Sequence, residues 1–351
     1  MRISFVRHSL LSRGGDKMVL VYASHLADNG HEVHLETNIV DTVFPINNKI
    51  KIKPLALKGQ LGTILSAIFW KRSVDLVIAD IIPLAFALHF RNGNKVIYFA
   101  QDNNLTHYRN PLMRLLVMIL NYIGLSYYQI RTIAVSTEIS CILSEKYKAK
   151  IERVIPNGVD TSLFYPAPSE SLMKRKNGRR AVVILSRSDQ RKGFDIAQKV
   201  IEKVTAARSF PVEIWTVGEK AVEKFAGIAH RDFGYVQEQE LREILSSADV
   251  FLYPSRSEGS PLMVMEAFAC RCPVVTTEAV PYAIHRINAM VSKVGDIDSL
   301  ADHVCKILES SELAGAIAAH GYDYAQDHTL QYAKASFENT IKSFCELKQH
   351  C

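Results

Sequence analysis

Cysteine is sparse in this sequence and builds no framework. The six cysteines stand at positions 141, 270, 272, 305, 345 and 351. Only Cys270 and Cys272 are close, and a C-x-C pair alone does not make a zinc site, so reduced structural thiols are expected. The N-terminus, Met-Arg-Ile-Ser-Phe-Val-Arg-His, lacks the apolar stretch of a signal peptide, which points to a cytosolic protein. No run is suited to crossing a bilayer. The longest apolar segment, residues 115–130, is charge-free but short, and is broken by Asn121, Gly124, Ser126 and Gln129. The dinucleotide fingerprint G-x-G-x-x-G is absent, as are solenoid repeats and low-complexity tracts. These absences exclude a disulfide scaffold, a membrane span and a repeat array. The 48% hydrophobic and 22% charged content then reads as an ordinary globular chain, and 351 residues suffice for two domains.

Charge is unevenly placed. Residues 1–170 hold 19 Lys and Arg against 13 Asp and Glu, whereas residues 171–351 hold 23 of each. The whole net charge of +6 therefore lies in the first half. It suits an anionic membrane, an anionic acceptor or nucleic acid, and equally a plain solvated basic surface. Arg109 and Arg114 precede the apolar segment 115–130 and Arg131 follows it. That segment reads either as a helix resting on a membrane or as a buried crossover helix.

Short apolar runs alternate with helical patterns along the chain. Strands are expected at residues 3–6, 33–35, 76–79, 96–99 and 133–135, and again at 181–185, 212–217, 250–252 and 273–276. Helical stretches separate them, beginning with residues 16–27. This alternation predicts two α/β domains, each a doubly wound parallel sheet. Pro156-Asn157-Gly158-Val159-Asp160 reads as a turn, and Pro166–Pro168 followed by Lys174–Arg180 as a polar, basic linker. The expected division is 1–168, 169–329 and a terminal helix in 330–351.

Four polar segments follow strand ends, where such sheets bind ligands. Ser12-Arg-Gly-Gly-Asp16 opens the first helix, and its glycines permit close backbone approach to a ligand, or form an ordinary turn. Gln101-Asp102-Asn103-Asn104 follows the strand at 96–99, with His107 beyond. Asp102 there either binds a substrate hydroxyl or caps the next helix. Arg187 and Lys192 are cations after the strand at 181–185; Arg forks phosphate oxygens and Lys acts as a point charge. The neighbouring Arg191 has no assigned role. Finally, Ser255-Arg-Ser-Glu-Gly-Ser-Pro-Leu-Met-Val-Met-Glu266 joins a strand, a turn and a helix. It places Glu258 in the turn and Glu266 in the helix, with seven residues between them. A helix start offers free N–H groups to a phosphate, and a carboxylate further along can hold a ribose diol.

The Gly-Gly loop, Asn157-Gly-Val-Asp160, Arg187 with Lys192-Gly193, and Glu258-x7-Glu266 occur in an order that resembles the retaining glycosyltransferases of family 4. The resemblance covers nearly the whole chain. It implies a GT-B fold: two Rossmann-like domains with the active site between them and a terminal helix crossing back to the first. It implies transfer of a hexose-like sugar from a nucleotide diphosphate-sugar, with retention, to a glycan or lipid-linked acceptor. Cell-surface polysaccharide or lipopolysaccharide assembly, at the inner face of a membrane, would be the setting. Gly15, Arg187, Lys192, Glu258, Gly259, Ser260, Pro261, Leu262 and Glu266 would hold the donor. Arg187, Lys192, Glu258 and Asp102 would take part in the chemistry. No cofactor, metal or nucleic acid is expected.

The chain departs from the family pattern in places. Gln101-Asp102 stands where many members have His, Arg271 where they have Gly, and Asn288-Ala289 where they have Asn-Gly. Asp296-x-Asp298 resembles a metal-binding triplet but precedes a helix, so capping is expected. A nucleotide-sugar epimerase and a non-catalytic scaffold of the same fold remain as alternatives.

Overall fold

The structure is a computed structural model that describes residues 1–108, 110–206, 211–220, 225 and 227–346. Arg109 and the last five positions of the expected terminal segment lie outside these residues. The chain divides into two compact units, Met1–Asn157 with Tyr332–Cys351, and Gly158–Gln331.

Among the described residues, the first unit carries a seven-stranded sheet, every pairing parallel. Its order is Lys51–Lys53, Glu32–Glu36, Arg2–Val6, Leu76–Ala79, Val96–Ala100, Arg131–Ala134, Ile151–Val154. The second unit carries six parallel strands: Ala229–Gly234, Val212–Gly218, Arg180–Ser186, Val250–Tyr253, Val274–Thr277, Met290–Ser292. Central strands such as Val96–Ala100 are buried throughout. That is why they read as continuous apolar runs: helices cover both faces of a parallel sheet. In each sheet the order reverses beside the unit's first long strand, Arg2–Val6 or Arg180–Ser186. Helices leave on opposite faces there, and a crevice opens outside the carboxyl ends of the two flanking strands.

The boundary at residue 168 needs correction. The second unit begins at Gly158, because Val159, Phe164 and Leu172 are buried in its core. The basic stretch is no linker either. Glu170–Lys176 is a helix, and buried Lys176 donates to Asp249 and to the Ser247 carbonyl, both at 2.9 Å. Gly158 is required at the crossing. A Cβ there would lie 2.3 Å from the Thr329 carbonyl oxygen, where Leu330 N–H donates to Val159 O at 2.8 Å.

The terminal helix Leu330–Glu346 packs on the first unit's sheet. Phe337 stacks on Tyr22 with centroids 4.1 Å apart and meets Phe99 edge-on at 5.6 Å. Asn29 donates to Glu338 at 2.6 Å and His25 pairs with it at 2.8 Å.

The apolar segment 115–130 is a crossover between adjacent parallel strands that is buried only in part, its core residues being Val117, Leu125 and Ile130. Asn110 caps the helix Pro111–Asn121, of which only Val117 and Asn121 are buried. Leu112, Leu115, Leu116 and Ile119 face solvent, Leu112 with 72% of its surface exposed. No helix among the described residues is long and apolar enough to cross a membrane.

Candidate active site

The second unit's crevice is built by loops after three adjacent strands. Asp189 caps the short turn Gln190–Lys192 by accepting from Arg191 N–H at 3.0 Å. The turn closes on Gly193 at φ +70°, where a Cβ would sit 2.0 Å from the Pro254 carbonyl oxygen. Only glycine lets the loop lie this close to the end of Val250–Tyr253. Arg256 N–H then donates to the Arg191 carbonyl at 2.7 Å, and Ser255 Oγ lies 2.8 Å from the same oxygen. Arg256 forks Asp195 at 2.8 and 2.7 Å. Arg191, which sequence reasoning left without a role, clasps Asp189 in its own loop, at 2.7 Å from Nη2. Burial pushes the Asp189 carboxyl up, but the bonds from Arg191 outweigh it and hold it at about 2.

This folding brings Lys192 and Glu258 together. Lys192 Nζ donates to both carboxylate oxygens, at 2.8 and 2.9 Å. Glu258 is no surface turn residue: it is buried, and also accepts from the Tyr253 hydroxyl and Ser255 Oγ, each at 2.6 Å. Gly259, Ser260 and Pro261 complete a buried turn into the helix Leu262–Ala269. Pro261 stands at the N-cap and supplies no capping side chain, so the helix start keeps its positive end for a ligand. Glu266 lies one turn on, only 7% exposed. Arg187 follows the central strand, donating from Nη1 to the Tyr235 hydroxyl at 2.7 Å and lying 3.5 Å from Glu219.

Arg187, Lys192, Glu258, Gly259, Ser260, Pro261, Leu262 and Glu266 thus stand on one unit, at adjoining strand ends. Gly15 and Asp102 stand on the other. Gly15 lies in the first turn of the helix Gly14–Asp28, where a Cβ would come 3.0 Å from Gln101 Oε1. Asp102 accepts from His107 at 2.6 Å. It is not the helix cap; that part falls to Asn103, which accepts from Leu105 N–H. Sequence reasoning missed a buried cluster at the first unit's own strand reversal. Arg7 Nη2 is bonded to Asp16 and lies 2.9 Å from Asp80. Burial pushes the Asp16 carboxyl up to about 6, against the pull of Arg7. It also missed Glu219, Tyr235, Tyr253 and Ser255. The available signal was position, since all but Tyr253 and Ser255 of these residues except Asp16 directly follow a strand's carboxyl end.

Metal features read as structural. Asp296 caps the helix Ile297–Glu309 by accepting from Ser299 N–H at 3.0 Å, and Asp298 pairs with Lys203. Cys270 and Cys272 are buried, and burial pushes the Cys270 thiol up to about 12. Among the described residues no group of three His, Cys, Asp or Glu is placed to hold a metal.

Residues 179–310 match the family model "Glycosyl transferases group 1". A GDP-mannose-dependent monoacylated alpha-(1-6)-phosphatidylinositol monomannoside mannosyltransferase of Corynebacterium glutamicum is 28% identical over 189 residues, 48% of this chain. The chain spans about half the length of the curated relatives it matches, 49% of this one. Among solved structures, sucrose-phosphate synthase from Thermosynechococcus elongatus superposes with a TM-score of 0.81 at 16% identity, covering 98% of each chain. WaaG, a glycosyltransferase involved in lipopolysaccharide biosynthesis, does so with a TM-score of 0.75 at 18% identity, covering 97% of this chain and 99% of its own. Residues 179–310 thus resemble the group 1 glycosyl transferases, and the chain adopts the GT-B fold of these solved structures.

Proposed function

We propose that the protein transfers a hexose-like sugar, with retention, from a nucleotide diphosphate-sugar to a hydroxyl of a glycan or lipid-linked acceptor. The observation that carries this reading is the placement of Arg187 and Lys192. Both stand at carboxyl ends of the strands flanking the second unit's reversal, beside the uncapped start of Leu262–Ala269. As the sugar becomes oxocarbenium-like, the departing diphosphate gains negative charge. Fixed cations and backbone N–H groups stabilise that charge where it develops. Arg187 and Lys192 supply the role a divalent metal would otherwise fill, and the leaving phosphate accepts the acceptor's proton. Glu266, buried one turn into the helix, holds the ribose hydroxyls. Asp102, with His107, serves the acceptor side.

The test is nucleotide release from UDP-, GDP- and ADP-sugars, with and without glycan and lipid-linked acceptors and with a chelator present. Transfer requires an acceptor, persists in chelator and leaves the anomeric configuration unchanged. An epimerase converts the sugar nucleotide without an acceptor, and a scaffold releases nothing; either result overturns the reading.

A second reading, attachment to an anionic membrane at its cytoplasmic face, is supported by the helix Pro111–Asn121. It exposes Leu112, Leu115, Leu116 and Ile119, and the first unit also exposes a ring cluster of Phe90, Tyr127 and Tyr128, with Phe90–Tyr128 and Tyr127–Tyr128 centroids 6.4 and 5.1 Å apart. Exposed apolar and aromatic side chains, in the half of the chain carrying the net positive charge, suit a headgroup boundary. The corynebacterial relative is itself named for a phosphatidylinositol monomannoside. Polysaccharide or lipopolysaccharide assembly is the setting this reading favours.

A further inference from the structure

Arg187 is held by residues that belong to neither the Arg-x4-Lys loop nor the Glu-x7-Glu string. Its Nη1 donates to the Tyr235 hydroxyl at 2.7 Å and lies 3.5 Å from Glu219 Oε1, and its guanidinium carbon stands 5.7 Å from the centre of the Tyr235 ring. Glu219 is itself fixed twice. Its own N–H donates to the Ser186 carbonyl at 2.8 Å, and its Oε2 accepts from Ser188 N–H at 2.7 Å. Those two bonds bracket Arg187 in sequence. Gly218 makes the approach possible: at φ +112° its Cβ would fall 2.6 Å from the Ser186 oxygen. The carboxylate is therefore built into the strand end, not merely near it. Burial raises its pKa, but the Ser188 N–H and Arg187 outweigh this and hold it below the usual carboxylate range, so it is charged at neutral pH.

A carboxylate beside an anion-binding cation opposes the anion electrostatically, so its value has to lie in geometry. Arginine on a flexible stem loses considerable rotamer freedom when it forks a phosphate, and an anchored guanidinium has already lost it. We propose that Glu219, together with the Tyr235 hydroxyl, is a positioning residue that pre-orients Arg187 for the donor's diphosphate. This rests on the glycosyl-transfer reading above. Lys192 shows the same construction, its ammonium forked by Glu258. Each of the two cations is thus set by its own carboxylate.

The test is a double-mutant cycle on the full chain, read as the dissociation constants of UDP, GDP and ADP by calorimetry. Glu219→Gln can satisfy only one of the two donors that Glu219 serves, and should weaken binding about tenfold, the scale of one charge-assisted bond. Tyr235→Phe keeps the ring and should weaken it about threefold. In an Arg187→Ala background both effects should shrink below twofold, because a positioning residue has nothing left to position. A purely structural role predicts the same loss in both backgrounds, and that result overturns the inference, as does unchanged affinity in Glu219→Gln. If wild-type protein binds none of UDP, GDP and ADP, the glycosyl-transfer reading falls first and this inference with it. If wild type binds and only the coupling is missing, the inference alone is wrong.

Discussion

Glu258 and Glu266 are the same residue type on one strand–turn–helix segment, and their surroundings separate their roles. Glu258 is neutralised by Lys192 and bonded by Tyr253 and Ser255. Glu266 sits inside the helix behind the turn. Ribose contacts persist from ground state to transition state, so Glu266→Gln should mainly raise the donor KM and weaken free nucleoside diphosphate binding. If Glu258 acts where the sugar reacts, as the glycosyl-transfer proposal expects, Glu258→Gln should mainly lower kcat. It should also cost about 1–3 kcal/mol of stability, less than breaking a fully buried pair because Lys192 keeps some solvent access. Steady-state kinetics with a melting curve checks both; a Glu258→Gln variant that changes only KM would reverse the assignment. One departure from the family pattern becomes clear at this scale. Arg271, noted as a departure in the sequence, adopts φ +55°. Its guanidinium lies over the Tyr322 ring at 4.6 Å, a contact that offsets the backbone strain.

At the scale of elements, two pairings in the first unit titrate in opposite directions. The Asp16 carboxyl, at the start of Gly14–Asp28, is raised from 3.8 to about 6. Its stabilising contribution is therefore full below pH 4 and lost as pH rises through about 6. Burial pushes Glu338, on the terminal helix, upward, but hydrogen bonds from Lys342 and Asn29 outweigh it and lower it from 4.5 to about 2. Its contribution is present above about 4.5 and lost as pH falls toward 2. Together these two groups stabilise the first unit most near about pH 4. Asp16→Asn should remove much of the fall in melting temperature between about pH 4 and 6. Glu338→Gln should remove much of the fall between pH 4 and 2.5. A wild-type melting temperature that keeps rising to pH 8, with Asp16→Asn following it, would contradict the Asp16 account. The elements most legible in the sequence were the central strands, whose β-branched runs are buried on both faces. Edge strands such as Lys51–Lys53, Ile151–Val154 and Ala229–Gly234 escaped because they are half exposed, and charged residues break their pattern. The residues proposed for the donor were legible as a group because they cluster in two short segments. Glu219 and Tyr235 were not, because they come singly from two further strand ends and meet Arg187 only in the folded sheet. Arg7 and Asp80 escaped for the same reason.

For the whole molecule, the basic first half and the exposed face of Pro111–Asn121 predict binding to vesicles containing phosphatidylglycerol. Raising the salt should weaken it, since exposed charges are screened over about 8 Å at physiological ionic strength. Leu112→Ser with Leu116→Ser should reduce it without changing nucleotide affinity. Absence of binding at every salt concentration would exclude the membrane reading and leave glycosyl transfer untouched. That central claim is tested most directly by titrating UDP, GDP and ADP into wild type, Arg187→Ala and Lys192→Ala, then measuring turnover with the donor that the binding nucleotide identifies. The account predicts that one nucleotide binds the wild type, and that each substitution lowers turnover at saturating donor by about 10²-fold or more with little change in melting temperature. Wild-type turnover in either variant would contradict the assignment of that cation to the diphosphate, and in both it would overturn the proposed site.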